Sequence, residues 1–324
     1  MSEPVRWGIL STANINRKLI PGVEASDKAD LIAVASREQS RADEYARQWG
    51  IERAYASYEE LIEDPDVEAV YIPLPNTLHC EWSIRAMEAG KHVLCEKPLS
   101  RHPEEVAEAF DVSERTGRLL TEAFMYRHNP QTFRLRELVD SGAIGELRVI
   151  RSAFGYSLYD QENIRLRMDV EGGALMDVGC YNVSGSRLLG GEPRHVYGEA
   201  WFGPTGTDWS FAGTMRFPGD VVALFHCGTA LVDQDELELV GSEASLFADD
   251  PWHCNNPGIE LRRDGKTELI AVDHADSYRL ELENLSDAIR GNGTLLLGRD
   301  DAVAQARVLE ALYDSAQHAR QVAL

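Results

Sequence analysis

Short apolar runs recur through the first 120 positions, separated by segments whose apolar residues repeat at helical spacing. "VRWGIL", "LIAVAS", "AVYIPL" and "HVLCEK" are rich in branched aliphatics and short enough to be strands buried on both faces. The intervening stretches 41–49, 58–63, 80–89 and 103–116 read as amphipathic helices. Strand alternating with helix predicts a doubly wound parallel sheet, an arrangement that binds ligands at the carboxyl ends of its strands.

The texture changes from about position 123. A helix over 130–141 precedes a strand near 147–154, an irregular stretch to 173 and a second helix over about 174–189. Long alternating runs follow: "HVYGEAWFG", "SFAGTMRF", "VVALFHCGTA", "ELELVGSEASLFA" and "IELRRDGKTELIAV", the last turning at Asp264–Gly265. These predict a large, mostly antiparallel sheet with one face covered by helices or by another subunit. Helical patterns over about 280–290 and 300–320 complete the chain.

Composition sets limits on function. The 324 residues, 44% hydrophobic and 27% charged, suit about two globular domains and contain no apolar stretch long enough to span a membrane. A net charge of −22 excludes nucleic acid and anionic membranes as partners, because both require a basic surface. Five scattered cysteines without a C-x-x-C pair, and an N-terminus that runs straight into the first strand, lead us to expect free thiols and a cytoplasmic protein. No metal site is expected. The only hint of one is His79–Cys80 together with Cys95–Glu96.

Candidate chemistry begins after the first strand, in "GILSTANIN". A dinucleotide fingerprint would place glycines where this chain has Ser11, Ala13 and Asn16. Ser11, Thr12, Ala13, Asn14 and Ile15 preserve a small turn with backbone donors for a pyrophosphate, though an ordinary strand–turn–helix reads the same. The second strand ends in Ser36 and Arg37, with Arg41 one helical turn on. A hydroxyl and guanidinium groups there, in place of a carboxylate, predict NADP in preference to NAD. Further on, "HVLCEKPLS" puts Glu96, Lys97 and Pro98 at a strand end, where Pro98 can adopt a cis bond. Asp177 and Tyr181 are four apart, so on a regular helix they would share one face.

Together "GILSTANI", "VYIPLPNTLH", "AGKHVLCEKPLS", "EAFMYRHNP" and "GGALMDVGCYNV" resemble the Gfo/Idh/MocA oxidoreductase family over essentially the whole chain. The nearest branch contains NADP-dependent D-xylose 1-dehydrogenases, dimeric dihydrodiol dehydrogenases and glucose–fructose oxidoreductase. The resemblance implies an α/β fold: a Rossmann-type dinucleotide-binding domain over 1–122, an α+β substrate and dimerisation domain over 123–300, and a helix over 301–324 packing back on the first domain. It implies that Lys97 lies beside the nicotinamide and the reacting carbon, and that Pro73, Leu74, Asn76, His79 and Glu96 line the cofactor. Asp177 and Tyr181 would complete the catalytic set. The inositol dehydrogenase branch has histidine at the position of Tyr181, so tyrosine favours the sugar and dihydrodiol branch.

Further expectations are Tyr278 near the nicotinamide, and Tyr126, Arg127, Asn163 and Arg165 as substrate-binding residues. The combined expectation is an NADP-dependent dehydrogenase of a sugar or polyol, with a D-xylose-like aldose oxidised at C1. Keto-sugar reduction, trans-dihydrodiol oxidation and a non-catalytic NADP-binding regulator are the alternatives. A homodimer or dimer of dimers is expected. Because glucose–fructose oxidoreductase holds its cofactor with an extra N-terminal arm, exchangeable NADP is expected here.

Overall fold

The computed structural model describes residues 3–158 and 160–324 and divides into two compact units. The first comprises residues up to Met125 together with Tyr278–Val303, and the second comprises Tyr126–Ser277 with Ala304–Leu324.

Six parallel strands form the sheet of the first unit: β1 (Val5–Leu10), β2 (Ala29–Ala35), β3 (Arg53–Tyr55), β4 (Ala69–Ile72), β5 (His92–Glu96) and β6 (Leu120–Ala123). Their order is β3-β2-β1-β4-β5-β6, so the chain reverses direction of travel between β1 and β4. Both faces of β1 and β4 are buried, which is why their sequences are continuous apolar runs. The crossover helices are α1 (Asn16–Glu24), α2 (Gln39–Trp49), α3 (Tyr58–Glu63), α4 (His79–Glu88) and α5 (Pro103–Thr116). Helix α5 begins with proline at its first position and stops at Gly117, whose φ of 66° is left-handed.

Helix α8 (Ser277–Ile289) corrects the expected domain boundary. From Tyr278 it belongs with the first unit, where Leu282 and Leu285 join a core containing Trp7, Leu19 and Tyr71, and Trp7 donates to Ser286 Oγ at 3.3 Å. A Cβ on Gly22 of α1 would stand 2.9 Å from the Arg279 backbone nitrogen, so glycine permits the close approach of these two helices.

The second unit contains α6 (Pro130–Asp140), α7 (Cys180–Gly190) and a nine-stranded sheet. Its strands are β7 (Leu147–Ser157), β8 (His195–Phe202), β9 (Asp208–Arg216), β10 (Val222–Gly228), β11 (Ala230–Gly241), β12 (Ser245–Asp249), β13 (Gly258–Arg263), β14 (Lys266–Ala271) and β15 (Val322–Ala323). Among the described residues, strands β7 and β10 pair in parallel, and the other neighbouring strands of this sheet pair antiparallel. Asp264 and Gly265, with φ of 51° and 71°, form the mirror-image turn that matches strand twist between β13 and β14.

Helix α9 (Arg299–His318) also departs from expectation. From Ala304 it belongs with the second unit, where Gln305 Nε2 donates to the Cys180 carbonyl at 2.8 Å, Tyr313 packs on Phe211, and Ser315 Oγ accepts from Gly198 N at 2.9 Å. Sequence order suggested the opposite allocation for α8 and α9. Buried polar and apolar side chains decided it.

Candidate active site

In the first unit the turn after β1 carries the anion-binding geometry without its glycines. Ser11 adopts φ 146°, a conformation normally left to glycine, and its hydroxyl both donates to Pro73 O and accepts from Ala13 N, each at 3.2 Å. Asn16 is fully buried, and its Nδ2 donates to Ser11 O at 2.9 Å. The residue at the third glycine position therefore braces the turn from inside, and the close helix approach has moved to Gly22. The N–H groups of Thr12, Asn14 and Ile15 have no acceptor among the described residues. They remain available to an anion at the start of α1.

At the end of β2, Ser36 is buried while Arg37 and Arg41 are exposed, and neither guanidinium has a carboxylate partner among the described residues. Both lie close enough to Tyr58 to oppose the upward push that burial gives its hydroxyl. With Ser36 they form a basic, hydroxyl-bearing edge suited to a phosphate monoester.

The ends of β4 and β5 are fastened together by His79. Its Nε2 lies 2.7 Å from Leu74 O and its Nδ1 2.8 Å from Pro98 O, with the ring fully enclosed. Burial pulls its pKa below the ordinary histidine value. The ring thus lies between the Pro73–Asn76 turn and the Glu96–Lys97–Pro98 turn with a backbone carbonyl against each nitrogen, and in its neutral form it donates to one of the two. Cys80 and Cys95 point at the backbone carbonyls of Leu99 and Ile72.

Lys97–Pro98 is a cis bond, and Lys97 is half-buried. Tyr71 donates to Glu96 Oε1 at 2.5 Å, and burial followed by the Glu96 charge keeps its hydroxyl protonated far above the ordinary range. Tyr278, at the start of α8, adds to the same electrostatic neighbourhood.

The second unit holds Asp177 in a side-chain network. Tyr156 on β7 donates to Asp177 Oδ2 at 2.5 Å, and Arg165 Nε donates to Oδ1 at 3.1 Å. Burial and the neighbouring carboxylate push the Tyr156 hydroxyl well above its ordinary pKa. Asn163 Oδ1 caps the short turn carrying Arg165 by accepting from Arg165 N at 3.1 Å. Gly172 and Gly173 fix the same loop by donating to the carbonyls of Arg167 and Arg165, both at 2.8 Å. A Cβ on Gly172 would stand 2.5 Å from Arg165 O, and one on Gly173 would run into the Asp208 carboxylate. The paired glycines of "GGALMD" thus serve to hold Arg165 against Asp177.

Asp177 and Tyr181 do not sit on one regular α-helix, as their spacing suggested. Residues Leu175–Gly179 form a π-helical turn, and α7 starts at Cys180. Such insertions rotate side chains relative to α-helical spacing and are frequent at functional sites. Tyr181 is 7% exposed and lies among Phe154, Tyr126 and Trp252, with ring centroids 5.3, 5.7 and 6.2 Å away.

Tyr126 and Arg127, expected as substrate-binding residues, are both buried. Tyr126 is buried with its hydroxyl donating to Ser184 Oγ at 2.7 Å, and Arg127 reaches the same oxygen at 3.3 Å from a largely buried position. Tyr126 is part of the aromatic wall around Tyr181. Tyr156 and the capping Asp208, which accepts from Leu175 N at 2.7 Å, escaped the sequence reading. Extending the apolar alternation of β7 two residues past Phe154 would have found Tyr156, since residues two apart share a strand face.

Family models match both units: residues 5–124 fit the oxidoreductase family with an NAD-binding Rossmann fold, and residues 133–247 fit the GFO/IDH/MocA C-terminal domain. The chain belongs to the Gfo/Idh/MocA oxidoreductase family. Among its relatives, the D-xylose 1-dehydrogenase (NADP(+)) 2 of Haloferax volcanii is 37% identical over 98% of this chain and 99% of its own. A 3-ketoreductase from Actinomadura kijaniata, solved with NADP and TDP-benzene, superposes with a TM-score of 0.91 at 29% identity, covering 96% of this chain and 98% of that one. The aldose–aldose oxidoreductase of Caulobacter crescentus gives 0.92 at 26% identity, covering 99% and 100%. This family member is an oxidoreductase whose first unit is an NAD(P)-binding Rossmann domain. No helix among its described residues is long and apolar enough to cross a membrane.

Proposed function

We propose that the protein is an NADP-dependent dehydrogenase of sugars or polyols, with a D-xylose-like aldose oxidised at C1 as its substrate. The basic edge of β2 carries the cofactor assignment: Ser36, Arg37 and Arg41 offer a hydroxyl and two guanidiniums without carboxylate partners, where an NAD enzyme would place an acid. The donors of Thr12, Asn14 and Ile15 fit the pyrophosphate, and Leu74, Asn76, Glu96 and Tyr278 fit the nicotinamide side. Bound NADP would supply the hydride acceptor in oxidation and the hydride donor in the reverse direction.

The chain's own residues handle the proton and the substrate. In the second unit Tyr181 exchanges the hydroxyl proton, and in the first Lys97 supplies a positive charge on the nicotinamide side. Asp177, already bonded to Tyr156 and Arg165, orients those two groups toward substrate hydroxyls. Similarity to the Haloferax volcanii D-xylose dehydrogenase supports the aldose. Similarity to the Actinomadura kijaniata ketoreductase supports keto-sugar reduction as the second reading. A non-catalytic regulator is disfavoured, because Lys97, Asp177 and Tyr181 are all present. The exposed Leu224, Val232 and Trp201 of the nine-stranded sheet support self-association as a homodimer or dimer of dimers, and five buried free cysteines support a cytoplasmic setting.

The test follows nicotinamide absorbance with NADP and NAD against aldoses, inositols, keto-sugars and cyclic diols. NADP-dependent aldose oxidation is expected. Keto-sugar reduction alone transfers the assignment to the second reading, and NADPH binding without turnover of any substrate restores the regulator.

A further inference from the structure

The second unit contains a group of side chains that the oxidoreductase chemistry does not use. Asp235 lies on β11, and Asp250 and His253 lie in the turn that follows β12. His253 Nδ1 is 2.6 Å from Asp235 Oδ2 and 3.7 Å from Asp250 Oδ1, and one donor atom from each residue falls within 4.8 Å of the others. Ligand atoms sharing one ion through bonds of about 2.0–2.2 Å are separated by roughly 3–4 Å. Small side-chain adjustments would bring these three to that spacing.

The hydrogen-bond inventory is one donor short. A single imidazole Nδ1–H serves one carboxylate, and here it lies on Asp235. Asp250 is only 8% exposed. Its Oδ2 accepts from Asn255 N at 2.6 Å and Asn256 N at 3.0 Å, while Oδ1 is closed to water and has no hydrogen-bond donor among the described residues. A buried carboxylate oxygen without a donor is costly, and this one is directed at the imidazole that already serves Asp235. A cation in place of that proton satisfies both carboxylates at once.

We propose that Asp235, Asp250 and His253 bind a divalent transition cation of the zinc or manganese kind, through His253 Nδ1 and one oxygen from each carboxylate. The mixed nitrogen and oxygen donor set matches those ions. His253 is half-exposed, so water completes the coordination from the solvent side. Asp235 Oδ1 accepts from Trp252 N at 3.2 Å, which couples the site to the turn between its ligands. Trp252 is part of the aromatic wall around Tyr181, and its indole donates to Ala153 O at 3.0 Å. The ion therefore fastens β11 to the turn carrying Trp252, behind Tyr181.

The full-length protein, stripped with chelator and dialysed, is titrated calorimetrically with Zn2+ and with Mn2+. One site per chain is expected, at least tenfold weaker in His253→Ala and in Asp250→Asn. Saturating metal should raise the Tm of the wild type and leave that of both variants unchanged. The Co2+-substituted protein should show visible d–d bands without a thiolate charge-transfer band. Absence of stoichiometric binding, equal binding by wild type and variants, or a thiolate band that moves the metal to cysteine would each overturn the proposal. Should Asp250→Asn fail to fold, the half-exposed His253→Ala decides alone.

Discussion

The turn after β1 and the Asp177 network are built from different materials. In the first, what is left open is backbone: the N–H groups of Thr12, Asn14 and Ile15, in a turn held by Ser11 and Asn16 from within. The second is built of side chains: Tyr156, Arg165 and Asp177 from three separate segments, locked by glycines that contribute only their smallness. A backbone site tolerates replacement of its signature residues, provided the chain path survives. A side-chain network depends on every member being itself. The same contrast separates turn variants, which should change stability, from network variants, which should change turnover.

The largest effect is expected where the chemistry concentrates. Tyr181→Phe and Lys97→Ala should each lower kcat by about 10²–10⁴, the range for loss of positioned proton transfer. NADPH binding, followed by fluorescence, should survive in Tyr181→Phe, which keeps the ring that packs on Phe154, Tyr126 and Trp252. Wild-type turnover by either variant would remove that residue from the mechanism.

Acidification should act on both units alike, which makes it a control for the comparison. His92 accepts from Leu119 N at 2.9 Å and is lowered to about 4 by burial and then by Arg118; His128 is lowered to about 4 by burial and then by Arg127. In the unfolded chain both titrate near 6.5. Between these values the unfolded chain binds protons that the folded chain refuses, so this stability is complete above pH 6.5 and declines toward pH 4. The limit is about 3 kcal/mol for each histidine, from a shift of about 2.5 units. Melts from pH 7 to 4 should show Tm falling through that window, less steeply in His92→Gln. A flat profile would mean that the imidazoles become charged without cost.

How much could be read in advance follows the same division. Strands β1, β2, β4 and β5 announce themselves because burial on both faces demands unbroken apolar runs, and Glu96–Lys97–Pro98 stands at a strand end. Strand β3 has three half-buried residues and left no such run. Helices α8 and α9 were legible as helices but not as members of a particular unit, because Leu282 beside Trp7 and Gln305 beside Cys180 are partners distant in sequence. Asp177 and Arg165 were legible as single candidates, but their bonding to one another and to Tyr156 was not, for the same reason, and the π-helical turn shifted the register that the Asp177–Tyr181 spacing assumed.

Two matched pairs of variants sharpen the contrast at intermediate size. Tyr156→Phe and Arg165→Ala should lower kcat/KM for substrate by about 10- to 100-fold, as expected for losing a hydrogen bond to a charged group, with KM for NADP unchanged. Arg37→Ala combined with Arg41→Ala should do the reverse, raising KM for NADP by a similar factor of about 10 to 100 and leaving NAD kinetics alone. If the first pair alters cofactor KM, or the second alters substrate KM with NAD as cofactor, the assignment of these side chains to separate tasks fails.

The smallest effect tests the backbone site directly. Asn16→Gly restores a glycine where the fingerprint has one, and it removes the Nδ2 bond to Ser11 O from a fully buried position. Loss of that bond costs about 1 kcal/mol, and glycine adds roughly 0.5–1 kcal/mol of chain entropy at the start of α1. Tm should therefore fall by several degrees. The donors of Thr12, Asn14 and Ile15 belong to the main chain and remain, so KM for NADP should change by less than about threefold, well short of losing a charge-assisted bond. A rise as large as that of the double arginine variant would show that the Asn16 side chain itself fixes the donor geometry, and the turn would then join the Asp177 group as a side-chain site.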